Sequence, residues 1–301
     1  NAELRLTGTA LTRLNDMVVI TEASPLDEPG PRIVFVNEAF VRHTGYAREE
    51  VLGRSPRLLQ GEQTSRSELD RIRQALVQRQ AVHSELVNYT RGGQPFWVEL
   101  DMVPVLDEQG TASHWVCVQR DITERKKAQD DIHQLAYFDA LTGLPNRRLL
   151  LDRLTQSMVS AQRAQQSVAV LFLDLDHFKT INDARGHATG DRLLVQVGQR
   201  LGTLVAAGDT VARLGGDEFV ILSPLPADCE SPVQAALALA SVVRAALEQP
   251  FALDGQAHST SGSIGVTLLP RAGQSPEDVL REAIARLAKF LERYRKKYGK
   301  K

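Results

Sequence analysis

The chain has 301 residues, of which 43% are hydrophobic and 24% charged, and its formal net charge is −1. This length favours two domains, each large enough to bury a core, and the near-neutral charge gives no sign of a nucleic-acid or membrane partner. Two cysteines, Cys117 and Cys229, are too few for a disulfide framework or a zinc cluster, so we expect reduced thiols and a cytoplasmic location.

No apolar run in the sequence is long enough to cross a bilayer, and no signal-peptide pattern is present. This segment is therefore expected to contain no membrane span. Because the chain begins with Asn1 rather than Met, an upstream anchor or sensor is left open.

The first 121 residues predict a short leading helix followed by a small α+β domain over residues 15–121. The predicted elements, in chain order, are a helix at 1–14, strands at 17–21 and 32–36, a short helix from Asn37 to Gly45, an amphipathic helix at 64–80, and strands at 83–90, 95–106 and 113–121. Glycine-containing turns at 91–94 and 107–110 favour an antiparallel arrangement of the last three strands.

Residues 122–138 differ from the preceding domain because a few apolar residues, Ile122, Ile132, Leu135 and Phe138, lie among many charges. This pattern predicts a signalling helix with a narrow apolar seam that pairs with its twin in a homodimer. A solvated linker helix is the alternative, because the seam is short.

Residues 139–301 predict a second α+β domain with a βα pattern. Its predicted elements are a helix at 146–165, a strand at 167–174, a helix at 190–206, a hairpin of strands 211–214 and 219–223, a loop at 223–232, a helix at 233–248 and a strand at 259–269. The strand at 167–174 is almost entirely apolar, which is typical of a strand buried on both faces.

Three carboxylates follow strand ends in this second domain. Asp174 ends the buried strand, and Asp217 and Glu218 occupy the hairpin turn after Gly215 and Gly216. Carboxylates at a sheet rim supply the hard oxygen ligands that Mg²⁺ prefers, and the glycines permit a tight turn that a nucleotide can approach. A plain surface hairpin is the alternative for the Gly-Gly-Asp-Glu segment taken alone.

Four further segments, together with the hairpin, resemble the GGDEF domain of diguanylate cyclases. They are Asp139–Arg148, Phe172–Asp183, Gly186–Asp191 and Ser263–Val266. The resemblance implies a palm-like βα sheet similar to that of nucleotidyl cyclases, in which Gly186–Asp191 forms a loop that completes the guanine pocket. It also implies condensation of two GTP molecules into cyclic di-GMP, with one GTP held by each subunit of a dimer.

The same resemblance implies a metal site and a reaction centre. Asp174, Glu218 and the Leu175 carbonyl would bind Mg²⁺ or Mn²⁺. Asp217 matches the position that assists loss of the ribose 3′-hydroxyl proton. Lys179 would neutralise phosphate charge, although a solvated helix residue is the alternative for it.

The implied GTP contacts extend over the whole second domain. They are the backbone of His177 and Phe178 at the β- and γ-phosphates, the side chains of Asn182 and Asp191 at the guanine edge, Gly216 in the turn, and Lys289 and Arg293 at the triphosphate.

The sequence departs from the family pattern at two places. Asp209 fits the second position of an Arg-x-x-Asp product-binding site, but Ala206 stands at the arginine position, so we expect no product inhibition through this site. At the C-terminus, Lys289 and Arg293 have the family spacing only if two residues are skipped, and without a gap Arg295 alone matches.

Three segments of the first domain, Asn37–Tyr46, Gly53–Gly61 and Asp121–Arg125, resemble a PAS domain and in particular its flavin-binding LOV subclass. Pro56 stands where photoactive LOV domains have the cysteine that bonds the excited flavin, and Val98 stands where they have a second asparagine.

Four residues match flavin-contacting positions, namely Arg57, Gln60, Asn88 and Gln119. Two interpretations stay open: flavin binding without cysteinyl photochemistry, or an empty or differently liganded PAS domain that mainly dimerises. Cys117 is interpreted as a core residue.

The sequence thus predicts a PAS-regulated diguanylate cyclase that forms a homodimer through the PAS domain and the linker helix. The first alternative is a GGDEF domain that binds GTP without turnover and regulates a linked or partner phosphodiesterase. The second is a PAS dimerisation module with a vestigial catalytic half.

Overall fold

The computed structural model describes residues 15–269 and 275–285, and the chain divides into two compact units, residues 1–130 and 131–301. The predicted helix at 1–14 and the candidate phosphate contacts Lys289, Arg293 and Arg295 lie outside the described residues. Among the helices that the structure describes, none has both the length and the apolar character needed to cross a membrane.

The first unit is an antiparallel sheet of five strands in the order β2-β1-β5-β4-β3 with short helices. Its elements are β1 (Met17–Glu22), β2 (Ile33–Val36), α1 (Glu38–Thr44), α2 (Arg48–Val51), a 3₁₀ turn (Pro56–Leu59), α3 (Arg66–Val77), β3 (Val82–Tyr89), β4 (Pro95–Leu106) and β5 (Ala112–Asp121). The predicted strands and the helix at 64–80 are confirmed. Helix α2 and the 3₁₀ turn were not predicted, because four residues are too few for a periodic pattern.

The helix predicted from Asn37 is confirmed together with its cap. The Asn37 side-chain oxygen accepts hydrogen bonds from the backbone N–H groups of Phe40 (3.1 Å) and Val18 (3.0 Å). Gly45 ends the helix with a φ of 75°, a left-handed conformation that glycine adopts without strain. Asn37 therefore both starts α1 and attaches it to β1.

The predicted linker at 122–138 is helical, as α4 (Thr123–Tyr137), and none of its residues is buried. Its first turns contact the sheet of the first unit, because Arg125 pairs with Glu85 (2.6 Å) and Glu99 (3.1 Å). Further along, Ile132 is 66% exposed and Leu135 71% exposed. This exposed seam is compatible with both interpretations of the linker.

The second unit contains an antiparallel four-stranded sheet in the order β11-β6-β8-β7 and a separate two-stranded sheet, β10-β9. Its elements are α5 (Arg147–Ala164), β6 (Val168–Leu175), α6 (Phe178–Arg185), α7 (His187–Leu204), β7 (Thr210–Gly215), β8 (Glu218–Pro224), α8 (Pro232–Glu248), β9 (Phe251–Leu253), β10 (Gln256–His258), β11 (Gly262–Leu269) and a helical segment at 276–285.

Strand β6 is the centre of this unit. Leu171 and Leu173 pack into one core together with residues of α7 and α8, whereas Val170 and Phe172 pack into a second core together with residues of α5 and of 276–285. The prediction of a strand buried on both faces is confirmed, and burial holds the polar end of β6 at a defined place on the sheet rim.

One prediction for this unit is wrong, and two elements, helix α6 and the β9–β10 hairpin, were not predicted. Residues 186–191 are not a loop, because α7 begins at His187 and includes Gly190 and Asp191. Gly186 has a φ of 82° and by itself connects α6 to α7, so no loop is needed. The β9–β10 hairpin was missed because strands of three residues carry no readable alternation.

Candidate active site

The three carboxylates predicted to act together lie at the same end of the β6–β8 ladder. Asp174 is the direct cross-strand partner of Glu218, and such partners have Cβ atoms about 5 Å apart on the same face of a sheet. Asp217 lies in the turn, and its carbonyl accepts a hydrogen bond from the Leu175 N–H (3.3 Å). The strand register thus brings together Asp174, Leu175, Asp217 and Glu218.

The turn before these carboxylates depends on its two glycines. Gly215 has a φ of 141° and Gly216 a φ of 54°, both in the range that other residues rarely adopt. An added Cβ at either position would meet no atom within 4 Å. The turn therefore requires glycine for its conformation, and the space beside it is open to a ligand.

Negative charge accumulates at this rim. Burial raises the pKa of Asp174 to about 6, and the charges of Asp217, Glu218 and Asp176 add to that effect. Burial and Asp217 also raise the pKa of Glu218, whereas the Arg147 guanidinium lowers it. Repulsion among carboxylates of this kind is relieved by a bound cation.

The donor set fits magnesium or manganese. Within the described residues, no three side chains of the histidine, cysteine, aspartate and glutamate types form a ready-made metal cage. Mg²⁺ does not need one, because it typically keeps one or two carboxylates and completes its shell with water and substrate phosphates. Asp174 and Glu218, with the adjacent Leu175 carbonyl, could supply such a partial shell.

The raised pKa of Asp174 predicts a pH-dependent stability in EDTA. The folded state holds this proton more tightly than the unfolded state. The charged carboxylate therefore destabilises the folded state fully above about pH 6 and not at all below the ordinary pKa of 3.8. Asp174→Asn should therefore melt at a higher temperature than the wild type near neutral pH, and this difference should vanish near pH 4. Thermal melting across this range tests it, with exposed Asp228→Asn as the control. Equal melting temperatures at neutral pH would contradict it.

The residues predicted to contact phosphates lie where β6 leads into α6. His177 precedes α6 with a φ of 60°, and Phe178 is the first residue of the helix, with its ring in the core. The N–H groups in the first turn of a helix have no partner within the helix and favour anions. Lys179 follows on this turn and is exposed.

The predicted guanine contacts lie on two successive helices. Asn182 is on α6, and its side-chain oxygen is buried against α7 without a hydrogen-bond partner among the described residues. A Cβ at Gly190 would overlap that oxygen and lie 2.9 Å from the Cγ atom of Asn182. Asp191, the next residue, is the fifth residue of α7 and is exposed. The close approach at Gly190 brings Asn182 near Asp191.

Two supporting groups were not predicted. Asp176 accepts hydrogen bonds from the hydroxyls of Ser261 (2.6 Å) and Ser263 (2.8 Å), which join the end of β6 to the start of β11. Arg213 donates to the carbonyl of Gly216 in the turn. Asp176 lies in the segment Phe172–Asp183 and Arg213 in the first strand of the predicted hairpin, but only their tertiary partners show what they hold.

The first unit contains a cavity of about 460 Å³, and its lining includes all four predicted flavin contacts, Arg57, Gln60, Asn88 and Gln119. This volume lies within the range of small-molecule sites. The Gln119 side-chain oxygen is buried and has no partner in the part of the chain that the structure describes. Such an atom, within a cavity lined by both apolar and polar side chains, fits a planar ligand with a polar edge.

Cys117 also lines this cavity, and burial raises the pKa of its thiol to about 12. It packs with the hydrophobic core of the first unit, as predicted.

Comparison with protein-family models gives two matches. Residues 136–297 match "Diguanylate cyclase, GGDEF domain" and residues 15–124 match "PAS domain". The chain belongs to the GGDEF family. Its N-terminal part is a PAS domain, as the sequence predicted.

Individual relatives agree with this assignment. The signaling protein YkoW of Bacillus subtilis is 34% identical over 220 residues, which cover 73% of this chain and 27% of YkoW. The diguanylate cyclase TpbB of Pseudomonas aeruginosa is 42% identical over 153 residues, which cover 50% of this chain and 34% of TpbB. The chain thus spans about a quarter to a third of the length of these relatives.

Among solved structures, the LOV domain of the blue-light activated histidine kinase from Erythrobacter litoralis EL346 is 33% identical. It matches with a TM-score of 0.34, covering 37% of this chain and 99% of that one.

Proposed function

We propose that the protein is a diguanylate cyclase, which condenses two GTP molecules into cyclic di-GMP and two pyrophosphates under the control of its PAS domain. The observation that carries the proposal is the pairing of Asp174 with Glu218 across β6 and β8, beside an open glycine turn. We divide the chain into a PAS domain at 15–121, a signalling helix at 122–138 and a cyclase domain at 139–301.

In the proposed reaction, the 3′-oxygen of one GTP attacks the α-phosphorus of the other, and pyrophosphate leaves. Asp174, Glu218 and the Leu175 carbonyl would hold Mg²⁺ or Mn²⁺, which stabilises negative charge on the reacting phosphate when bound. Asp217 assists loss of the 3′-hydroxyl proton, and Lys179 neutralises charge on the phosphates.

We assign the selection of GTP over ATP to α6 and α7, the two helices that follow β6. Asn182 and Asp191 hydrogen-bond the guanine edge, and the backbone of His177 and Phe178 holds the β- and γ-phosphates. The lack of a Cβ at Gly216 lets the nucleotide approach the turn. Lys289 and Arg293 complete the triphosphate contacts by resemblance alone.

Because each cyclase domain holds one GTP, the reaction requires two domains face to face. We propose a cytoplasmic homodimer, held through the PAS domain and α4, where the exposed Ile132 and Leu135 offer an apolar seam. Bringing the two bound nucleotides together is the main step that a sensor can control.

The proposal is tested by incubating the whole protein with GTP and MgCl₂ and separating the nucleotides by chromatography. Formation of cyclic di-GMP supports the enzyme. Binding of GTP without product supports the non-catalytic regulator, and absence of both supports a PAS dimerisation module.

The first departure in the sequence, Ala206 in place of the arginine, predicts a cyclase without product inhibition at the Arg-x-x-Asp position. Asp209 accepts a hydrogen bond from the Ala206 N–H (2.9 Å) and serves a local turn, and Ala206 offers no cation to a phosphate. Initial rates should therefore stay constant as cyclic di-GMP is added, whereas Ala206→Arg should become inhibited. Non-competitive inhibition of the wild type that Asp209→Ala abolishes would show the prediction to be wrong.

For the PAS domain, we propose that the cavity binds a flavin. The buried Asn88 and Gln119 would contact the polar edge of its ring, and Arg57 at the cavity wall would contact its phosphate. A flavin supplies a blue-light-absorbing ring when bound, but Pro56 provides no thiol to react with it.

The purified protein, reconstituted with flavin mononucleotide, should therefore show the blue absorbance band of a bound flavin. Gln119→Ala should weaken binding, whereas the exposed Ser113→Ala should not. No bound flavin after reconstitution would remove this proposal and favour an empty or differently liganded domain.

A further inference from the structure

The β9–β10 hairpin lies against both helices that carry the proposed guanine contacts. Its two-residue turn is Asp254 and Gly255, which both have a positive φ, 52° and 75°. Asp-Gly and Asn-Gly are the sequences that favour such a turn between antiparallel strands. The side chains of Phe251 and Leu253 on β9 are buried in the same core as the apolar face of α7. Core packing therefore fixes β9, and the turn and β10 make polar contacts.

The first polar contact is with the end of α6. Arg185, the last residue of that helix, donates from Nη1 to the side-chain oxygen of Gln256 (2.6 Å). The same nitrogen lies 3.1 Å from Nε2 of His258. Gln256 and His258 are the first and last residues of β10, and side chains two positions apart lie on the same face of a strand. One face of β10 therefore holds the cation at the end of α6.

The second polar contact is with the first two turns of α7. Arg192 donates from Nη2 to Asp254 Oδ2 (2.5 Å) and to the Thr189 hydroxyl (3.1 Å). The Thr189 hydroxyl in turn donates to the same oxygen of Asp254 (3.3 Å). Arg192 directly follows Asp191, one of the two proposed guanine contacts. The carboxylate in the β9–β10 turn therefore holds the part of α7 that presents Asp191.

Further contacts continue along α7. The side-chain amide of Gln196 donates to the Ala252 carbonyl (2.8 Å) in β9. Arg200 donates to the carbonyls of Gln249 (2.6 Å) and Pro250 (2.9 Å), which directly precede β9. The hairpin and the residues before it are therefore attached to α7 along most of its length.

The connection between the two helices explains why these contacts matter. A single residue, Gly186, connects α6 to α7 with a φ of 82°. Glycine has wide backbone freedom, so this connection alone does not fix the angle between the helices. Asn182 lies before Gly186 and Asp191 lies after it. The separation of the two proposed guanine contacts therefore depends on that angle.

We infer that the β9–β10 hairpin is a positioning element for guanine recognition, which acts through Arg185, Arg192 and Asp254. It holds the helix on each side of the one-residue connection, so Asn182 and Asp191 keep one separation before GTP arrives. A site that is already ordered binds more tightly, because binding does not have to offset the loss of conformational freedom. The inference rests on the proposed function, since it concerns the same guanine site.

Asp254→Asn is the informative variant. Asparagine keeps the turn, because Asn-Gly favours the same turn type, but it is neutral and loses the charged pair with Arg192. The two side chains of this pair are 48% and 54% exposed, so the effect should be moderate. We expect the KM for GTP to rise about two- to fivefold and the preference for GTP over ATP to fall by a similar factor, with little change in kcat. A variant that merely lost folded protein would instead lower kcat and leave the KM unchanged.

Arg192→Gln tests the same pair from the other side. It should raise the KM by the same factor, and the double variant should be no worse than either single variant, because each removes one shared interaction. A rise in KM in Arg192→Gln but not in Asp254→Asn would overturn the inference, since Arg192 would then contact the nucleotide directly. Arg281→Gln is the matched control, because it removes an exposed ion pair with Asp278 (3.0 Å) in the same unit. It should leave the KM and the nucleotide preference unchanged.

Hydrogen exchange of the whole protein without nucleotide, followed by mass spectrometry, gives a result that does not depend on turnover. Residues 183–192 should exchange faster in Asp254→Asn and in Arg185→Gln than in the wild type, whereas the catalytic turn at 214–218 should not change.

Unchanged exchange at 183–192 in a wild type and variants that form cyclic di-GMP would overturn the inference and leave the proposed function standing. If the wild type forms no cyclic di-GMP, the proposed reaction fails, and the Kd for GTP, measured by calorimetry, then replaces the KM in the same comparison. Absence of GTP binding by the wild type would overturn both, because there would be no guanine site to position.

Discussion

Glu218→Gln is expected to reduce cyclic di-GMP formation by at least about a thousandfold, since loss of a metal-binding charge removes several kcal/mol of transition-state stabilisation. Gln has nearly the same shape as Glu but is neutral and a weaker ligand. The measurement is product formed from GTP and MgCl₂ over time, with exposed Glu230→Gln as the control in the same domain.

The Glu218→Gln experiment also distinguishes lost chemistry from lost folding. Burial and the charge of Asp217 raise the pKa of Glu218, which means that the charged carboxylate destabilises the metal-free fold. The variant in EDTA should therefore melt at or above the temperature of the wild type. A variant that melts normally and keeps more than a tenth of the wild-type rate would contradict the assignment of Glu218.

Gly190→Ala is expected to raise the KM for GTP by about tenfold or more, which corresponds to the loss of one or two hydrogen bonds to the base. The new Cβ would overlap the Asn182 side-chain oxygen and lie 3.2 Å from the Phe178 ring, so Asn182 must leave its place. Selectivity for GTP over ATP should fall in parallel, because the proposed guanine contact is lost.

Gly202→Ala is the matched control for this prediction. Gly202 lies on the same helix, α7, and a Cβ there would meet no atom within 4 Å. Alanine at an open helical position should stabilise the fold by about 1 kcal/mol and leave the KM unchanged. Steady-state kinetics with both nucleotides and a melting curve for each variant provide the test. An unchanged KM in a folded Gly190→Ala variant would remove Asn182 from the guanine site.

Local patterns in the sequence were sufficient for the long elements. The apolar run of β6, the amphipathic helix α3 and the Asn37 cap were all predicted, because each depends on neighbours within a few residues. The start of α7 was predicted wrongly. The family resemblance implied a loop over Gly186–Asp191, whereas in the structure α7 begins at His187 and Asn182 packs against Gly190.

For the candidate site too, the sequence predicted the residues and the structure showed how they interact. Asp174, Asp217 and Glu218 were predicted from motifs, but their mutual repulsion follows from the register of β6 and β8 and from burial. The pocket residues Asn88 and Gln119 were predicted by resemblance, and the sheet of the first unit places them on one cavity.

The sequence by itself determined the family, the order of the two domains and the residue types at the glycine turn, because these depend on contiguous motifs and local backbone preference. Only the tertiary structure decided which carboxylates face one another and how burial changes their protonation. It also showed that Arg213 joins the hairpin turn to Asp139, 74 positions away in the chain. Such pairings depend on strand register and on which charged groups are buried in the fold. Neither can be deduced from a local sequence pattern.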